Sequence, residues 1–456
     1  MKYPVRPLKG YIMDRFDWVI IGSGPAGYET ALGLSKQGQS VAIVEKDELG
    51  GVCLNRGCIP TKVMASAAKR LEEAGDGRRY GISREESSFS PAALTKYRNN
   101  VVTRLRKGLE QRLSAAGITI YRGTASLVDT GVVEITPETT DAPFSVTFDN
   151  LVIAAGSKPA IPPAWSGIDN VVDSECFWEI EEPPKNILIV GGGVIGCEFA
   201  SSLAVLGYDV TIMESENRVL TTEEPEVSEF ILRQLKKRRV SVLTDTTIVG
   251  IRTRKNCLEV SAGGTTLKPA LVVCCMGRKT EPETLGPGAS GLDIPRSTGL
   301  QLREHTWIAG DIAPGPQLAH KAAYDARIIV DRVAGRQTQL HYDNIPLAVF
   351  TSPEVGRAGL TESQAAQLCK VESRRVDFAE MGKAIADNRP RGFLKIIIRG
   401  DTREIAGMTI VGHDASEFSN LASLILANKM TVDDLRRTVF SHPTLGEIFH
   451  ECADRF

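Results

Sequence analysis

Asp17-Trp18-Val19-Ile20-Ile21-Gly22-Ser23-Gly24-Pro25-Ala26-Gly27 is a short apolar run that ends in a glycine-rich turn. A helical pattern follows at Tyr28, Ala31, Leu32 and Leu34, and a second apolar run, Ser40-Val41-Ala42-Ile43-Val44, stops at Glu45. The order is strand, glycine turn, helix, strand, acid. Gly22 permits the tight turn, Gly24 admits a pyrophosphate close to the backbone, and Gly27 lets the helix pack on the strand. Pro25 and Ala26 open a helix whose free N–H groups and macrodipole favour an anion.

The same order recurs downstream. Asn186-Ile187-Leu188-Ile189-Val190 leads into Gly191-Gly192-Gly193-Val194-Ile195-Gly196, a helical pattern through Leu206, then Asp209-Val210-Thr211-Ile212-Met213 and Glu214. In both copies the acid stands 23 residues after the first glycine (22 to 45, and 191 to 214). One such fingerprint is weak. Two, each with its strands, helix and acid, predict two nucleotide-binding βαβ units in an α/β chain. Ordinary turn chemistry is the plain alternative, and it has to explain both copies at once. Glu45 and Glu214 are placed to accept from ribose hydroxyls. A carboxylate at Glu214 repels a 2′-phosphate, so the second unit is expected to select NAD over NADP.

Between the units, residues 66–116 read as long helices (Val101, Leu105, Leu109, Leu113), followed by short strands to about residue 153. Pro159, Pro162 and Pro163 mark a crossing between domains. Leu271–Gly277 reads as a buried strand, and Trp307-Ile308-Ala309-Gly310-Asp311 as a strand with an acid at its end. From about residue 343, strands (Gly392 to Ile398, Ile405 to Val411) interleave with a helix (Ala415 to Ala427), the texture of an α+β third domain.

Gly50-Gly51-Val52-Cys53-Leu54-Asn55-Arg56-Gly57-Cys58-Ile59-Pro60-Thr61-Lys62 follows the first fingerprint. Of nine cysteines, only Cys53 and Cys58 combine a glycine-rich setting with a ring-forming spacing. Cys176, Cys197, Cys257, Cys274, Cys275 and Cys369 read as small hydrophobes on strands and helices. Two cysteines this close can form a small, strained disulfide, more easily reduced than a structural one. The competing readings are a pair of inert buried thiols and half of a metal site. Zinc sites usually space paired cysteines by two residues and need a second pair nearby. No histidine precedes His305, so no metal is expected. Pro60 suits a helix start. Cys58 would then sit at a helix N-terminus, where the macrodipole stabilises a thiolate. Lys62, four residues on, would share its face. Snorkelling to solvent is the bland reading of that lysine.

Disulfide chemistry with a dithiol also needs a base. Ser441-His442-Pro443-Thr444 reads as the opening of the last helix, with Pro443 at its first position. Glu447, five residues after His442, can turn back and orient the imidazole. A helix-capping histidine without a catalytic role is the competing reading.

With 456 residues, the chain is long enough for two to four domains, and 42% hydrophobic and 24% charged residues are ordinary globular values. A net charge of -2 gives no basis for a nucleic-acid or anionic-membrane partner. Lys236-Lys237-Arg238-Arg239 reads as the solvated end of a helix. No apolar run approaches the roughly 18–20 residues that span a bilayer. Residues 1–13 lack the apolar core of a secretory signal, and the odd cysteine count adds to a reducing, cytoplasmic setting. The opening dozen residues, before Met13, are an extension or an upstream start; both stay open.

Gly50 to Lys62, both fingerprints, Gly310-Asp311, Leu318-Ala319-His320-Lys321-Ala322 and His442-Pro443-Thr444-Leu445-Gly446-Glu447 together resemble the flavoprotein disulfide reductases. Leu54-Asn55 and Ile59-Pro60-Thr61-Lys62 are most similar to the dihydrolipoamide dehydrogenase branch. The resemblance spans nearly the whole chain. It implies two Rossmann-like dinucleotide-binding domains, for FAD and NAD, plus a C-terminal α+β dimerisation domain. The expected limits are 1–155 and 277–342 for FAD, 156–276 for NAD, and 343–456 for the interface.

By the same resemblance, Gly22, Gly24, Pro25, Ala26, Gly27, Glu45, Lys46, Gly51, Lys62, Gly123, Ala155, Gly156 and Ser157 contact FAD. Gly310, Asp311, Leu318, Ala319 and His320 join them. Gly191, Gly193, Val194, Ile195, Gly196, Glu214 and Gly277 contact NAD, and Glu198 pairs with Lys62. Cys58 matches the flavin-proximal cysteine and Cys53 the interchange cysteine. His442 and Glu447 match a catalytic dyad that serves the other subunit. The expected protein is a homodimer that oxidises dihydrolipoyl groups on a lipoylated carrier or multienzyme complex; a different disulfide substrate is the alternative. Three features depart from the family pattern: Phe440, where another histidine is common; Arg56, beside the thiols; and the basic loop 387–392. In that loop, Arg389 and Arg391 either meet an acidic carrier or form a solvated hairpin.

Overall fold

Arg15–Ile21 is a strand whose last four residues are buried, in a computed structural model that describes residues 13–456 apart from 83–87, 140, 255–256, 290–291, 293 and 295–298. It pairs in parallel with Val41–Glu45 on one side (Val19 opposite Ala42) and with Phe144–Ile153 on the other (Val19 opposite Leu151). Thr119–Asp129 continues the sheet beyond Val41–Glu45, and Thr306–Ile308 beyond Phe144–Ile153, again in parallel. Chain connections therefore leave the first strand in opposite directions. Its carboxyl end opens on the Gly22–Gly27 turn, the switch point where doubly wound sheets bind nucleotides. Helix Pro25–Ser35 lies so close to helix Ala319–Val333 that a Cβ on Gly33 would come within 2.5 Å of Val330 Cγ2. These elements form one compact unit, Met1–Asn55, Val101–Lys158 and Lys279–Leu340. The opening dozen residues read above as an extension or upstream start lie outside the described residues.

A second unit gathers Arg56–Asn100, Pro159–Arg278 and His341–Phe456. It contains a five-stranded, all-parallel sheet in the order Ser241–Leu243, Asp209–Met213, Asn186–Val190, Leu271–Cys274, Val171–Asp173. Strands buried on both faces need continuous apolar runs, and Asn186-Ile187-Leu188-Ile189-Val190 supplies one. Helix Val194–Val205 follows the second glycine turn, and Met64 and Ala68 of helix Cys58–Asp76 share a core with its Phe199 and Leu203. The C-terminal region is a five-stranded antiparallel sheet in the order Leu347–Val349, Glu354–Gly359, Ile405–Gly412, Phe393–Arg399, Val371–Asp377. Helices Ala415–Ala427 and Glu447–Ala453 belong to the same core. The fold is thus α/β, with one seven-stranded mixed sheet whose central strands are parallel, a second, all-parallel sheet, and an α+β C-terminal domain.

Gly51–Asn55 and Cys58–Asp76 are both helical, and Arg56-Gly57 separates them. Three local readings change. The last helix begins at Glu447 rather than Pro443, because the Thr444 N–H is taken by the Glu447 side chain (2.8 Å) and residues 441–446 stay a turn. Lys236, Lys237 and Arg239 are exposed at the helix end, but Arg238 turns back to Glu72 (2.5 Å) and the Ser352 hydroxyl (3.0 Å). Cys176 and Cys257 are exposed rather than core hydrophobes.

Candidate active site

The two glycine turns repeat each other atom for atom. A Cβ on the first glycine would meet a neighbouring strand's carbonyl at 2.4 Å in both: Ala154 O for Gly22, Cys275 O for Gly191. A Cβ on the last would meet the first glycine's own carbonyl at 1.9 Å, in Gly27 and Gly196 alike. The middle glycines differ: a Cβ on Gly24 or Gly193 would meet nothing within 4 Å. Both are helix N-caps without a side-chain cap, and neither helix carries an acid in its first turn. Space, free amides and absence of negative charge fit a dinucleotide pyrophosphate at each turn.

The two acids lock these turns. Glu45, buried, accepts from the Ser23 amide (2.7 Å) and hydroxyl (2.6 Å) and from the Asp47 amide (2.9 Å). Glu214 accepts from the amides of Gly192 (2.5 Å) and Glu216 (2.9 Å). Lys46 and Ala155 are exposed. Gly51 lies in the short helix, Gly123 has φ +155 with Thr136 O where a Cβ would sit, and Gly156 has φ +71. Pro25 and Ala26 open the first fingerprint helix; Val194 and Ile195 open the second. In the second unit, Gly277 O accepts from the Ala160 amide (2.9 Å).

Cys53 and Cys58 are both half-buried. Cys53 lies in helix Gly51–Asn55, which Asn55 ties down by donating from Nδ2 to the carbonyls of Gly51 (2.9 Å) and Leu49 (3.0 Å). Cys58 is the first residue of the helix Cys58–Asp76, and Lys62 follows one turn later on the same face. Lys62 Nζ meets Glu198 Oε2 at 2.9 Å and lies 3.9 Å from the centroid of the Phe350 ring. Glu198, only 4% exposed, also accepts from the Phe350 amide (3.0 Å).

In the first unit, Ser157 Oγ donates to Asp311 (2.6 Å), bringing those two residues together. Leu318 is the N-cap of helix Ala319–Val333, and Ala319 and His320 begin it. One turn into that helix, Lys321 and Asp325 form an ion pair at 2.9 Å with both side chains fully buried. Asp325 accepts from the Gly310 amide (2.9 Å), and Lys321 donates to the Gly310 carbonyl (2.9 Å). The pair grips both polar groups of the residue preceding Asp311.

His442 and Glu447 come together at 2.8 Å between Nδ1 and Oε1, with the imidazole largely exposed (82%). The Thr444 amide first, and His442 second, hold the Glu447 carboxyl below its usual range. Sequence reasoning missed Phe350 and the roles of Asn55, Lys321 and Asp325. A lysine with an acid four residues on, inside an apolar helix, was the available signal for the last two. It also had no account of Arg56, whose Nε lies 3.7 Å from Glu175, itself paired with Arg278 at 2.8 Å. Arg389 faces its own chain, at Glu73 (2.6 Å) and His413 (2.8 Å). Among the described residues no group of side chains is arranged to hold a metal ion, and no helix is long and apolar enough to cross a membrane.

Residues 16–326 match the pyridine nucleotide-disulphide oxidoreductase family, and residues 345–453 match that family's dimerisation domain. The chain belongs to this family. It is 34% identical over 448 residues to dihydrolipoyl dehydrogenase of Geobacillus stearothermophilus, covering 96% of this chain and 95% of the relative. Identity to the Bacillus subtilis enzyme of the same name is 33% over 451 residues, covering 96% of each. The fold is similar to that of the HOCl-induced flavoprotein disulfide reductase RclA from Escherichia coli in its Cu(II) complex, with a TM-score of 0.87, 25% identity, and 97% and 100% of the two chains covered. It also matches LpdA from Mycobacterium tuberculosis, with a TM-score of 0.89, 22% identity, and 97% and 99% covered. The protein is therefore a flavoprotein pyridine nucleotide-disulfide oxidoreductase that uses FAD and NAD, and its dimerisation domain supports a homodimer.

Proposed function

We propose that the protein is a dihydrolipoyl dehydrogenase, oxidising dihydrolipoyl groups on a carrier protein at the expense of NAD. The observation that carries the reading is the series on one helix: Cys58 at its start, then Lys62 one turn later, held by Glu198 at 2.9 Å. Gly22, Gly24, Gly27, Glu45, Lys62, Ser157, Asp311 and the start of helix Ala319–Val333 would hold FAD. Gly191, Gly193, Gly196, Glu214 and Gly277 would hold NAD.

His442 of the partner subunit, oriented by Glu447, takes the proton from the first substrate thiol. The resulting thiolate attacks Cys53 Sγ of the oxidised pair, forming a mixed disulfide and releasing Cys58 as thiolate. That leaving group is favoured at a helix N-terminus, where the macrodipole stabilises negative charge. The second substrate thiol attacks the substrate sulfur of the mixed disulfide and passes its proton to the departing Cys53, which releases the cyclic product. Two thiols have become one disulfide, and one enzyme disulfide has become the Cys53 thiol and the Cys58 thiolate, with the other proton on His442. FAD and NAD, when bound, supply the remaining chemistry: an acceptor for the electron pair of the reduced cysteines, and a final hydride acceptor.

Steady-state reduction of NAD by dihydrolipoamide tests the proposal; no turnover by a protein with a normal flavin spectrum would refute it. A second reading, a disulfide reductase with another substrate, is favoured by Arg56 beside the thiols and by the likeness to RclA. Faster oxidation of NADH by a different disulfide than by lipoamide would select it.

A further inference from the structure

Lys62 belongs to the helix Cys58–Asp76, but two of the groups that fix its position come from elsewhere in the second unit. Helix Val194–Val205 presents Glu198 and, three residues later, Ser201. On a helix, residues three apart share a face. Glu198 accepts from the Phe350 amide at 3.0 Å, and Ser201 Oγ accepts from the Ser352 amide at 2.9 Å. These are alternate amides of the bend that leaves the strand Leu347–Val349. Two adjacent side chains of one helix thus seize two matching amides of the C-terminal domain. The Phe350 ring is delivered with its centroid 3.9 Å from the Lys62 ammonium. That is well inside the roughly 6 Å over which a cation is attracted to an aromatic face.

We propose that Phe350 is a positioning residue for Lys62: its ring holds the ammonium against Glu198, so the segment entering the C-terminal sheet sets where the redox helix presents its charge. Glu198 alone leaves the arrangement underdetermined. An ammonium carries three donors on a flexible four-carbon stem and can keep one carboxylate contact from many positions. A ring face adds a second, directional attraction. The carboxylate is itself fixed, since its other oxygen is engaged by the Phe350 amide. Side chain and backbone of one residue therefore define both partners of the lysine.

The consequence for the flavin rests on the role proposed above for Lys62, and the test separates the two. Phe350→Leu removes the ring and keeps an apolar side chain and the amide; Phe350→Tyr keeps the ring. The first readout is the rate at which Lys62 of the apo-protein is acylated by acetic anhydride, followed by mass spectrometry. A cation–π contact of the usual strength predicts an increase of about two- to thirtyfold in Phe350→Leu and little change in Phe350→Tyr. Unchanged acylation in a Phe350→Leu protein with native circular dichroism overturns the proposal. The second readout is the midpoint potential of bound FAD. Phe350→Leu should shift it in the direction of Lys62→Met and by less, with Phe350→Tyr at the parent value. A shift in Lys62→Met with none in Phe350→Leu also overturns the proposal. No shift in Lys62→Met, together with raised acylation in Phe350→Leu, supports the clamp and removes Lys62 from the flavin.

Discussion

Lys321→Met should destabilise the protein severely, and a second substitution at its buried partner should rescue it. Lys321 and Asp325 are both wholly buried and 2.9 Å apart, one turn along the same helix. Removing the lysine takes its cation from a buried carboxylate, a change that typically costs about 3–5 kcal/mol. It also takes one of two donors from the Gly310 carbonyl, which keeps the Ala313 amide at 2.9 Å. Against a net stability on the order of 5–15 kcal/mol, that is a large fraction. At about 2–4 °C per kcal/mol for domains of this size, the transition should fall by roughly 6–20 °C. Asp325→Asn added to Lys321→Met removes the stranded charge, while its amide oxygen still accepts from the Gly310 N–H. The double variant should recover about half of the loss and keep the roughly 1.5–3 kcal/mol of the charge-assisted hydrogen bond that Lys321 made. Calorimetry, run beside flavin-release fluorescence, measures both. FAD retention should fall in the single variant, because Gly310 precedes Asp311, the acceptor of the Ser157 hydroxyl at 2.6 Å. A double variant less stable than Lys321→Met would refute the argument, since the carboxylate would then not be the source of the strain.

Glu447→Gln tests pH dependence. A carboxyl held low in the folded state contributes stability that is present above its unfolded value, about 4.3, and lost as pH falls through the folded one. The stability gap between parent and variant should therefore be constant at neutral pH and close only below about pH 4.3, as followed by thermal melts across pH. Cys176 should react slowly despite its exposure: burial of the sulfur first, and Asp173 second, push its thiol up to about 11. Iodoacetamide at pH 7 should label the reduced Cys53 and Cys58 before it, by peptide mass spectrometry; faster labelling of Cys176 would contradict the thiolate argument. Glu214→Gln should raise the ratio of kcat/KM for NADP over NAD by about tenfold or more, since a like charge facing the 2′-phosphate costs several kcal/mol; an unchanged ratio would show that this acid does not face the ribose.

What the sequence made legible is what is local. Both fingerprints declare themselves within about 30 residues, because strand, turn, helix and acid follow one another along the chain. Cys58 and Lys62 are readable for the same reason: Pro60 signals the helix, and helical spacing puts them on one face. Phe350 is different. It acts on a lysine almost 300 residues away, and an aromatic beside a strand looks like core. Lys321 and Asp325 contradict hydropathy outright, since charged residues are almost never fully buried unless paired, and the pairing is visible only once the helix is built. The start of the last helix was misread because Pro443 is a good first helical residue; only the Glu447 side chain on the Thr444 amide shows that the turn ends later.

Glu45 and Glu214 show why a correct spacing can still carry an incomplete reading. The acid that follows the second strand was read as a ribose ligand. In the folded chain each carboxylate is first a clamp on its own glycine turn, through Ser23 and Asp47 in one copy and Gly192 and Glu216 in the other. A carboxylate offers about four lone-pair sites, and the clamp, with the Ser215 hydroxyl on Glu214, uses three in each copy, which leaves capacity for one more donor. Nucleotide choice and turn geometry therefore share one side chain in each copy. An amide at Glu214 removes the charge but has a single acceptor oxygen, which can serve the Gly192 amide or the Glu216 amide, not both. Relaxed discrimination against NADP should then come with weaker binding of NAD itself. Substitution at this acid alone trades one property against the other, and separating them requires a neutral residue there with a second acceptor supplied to the turn.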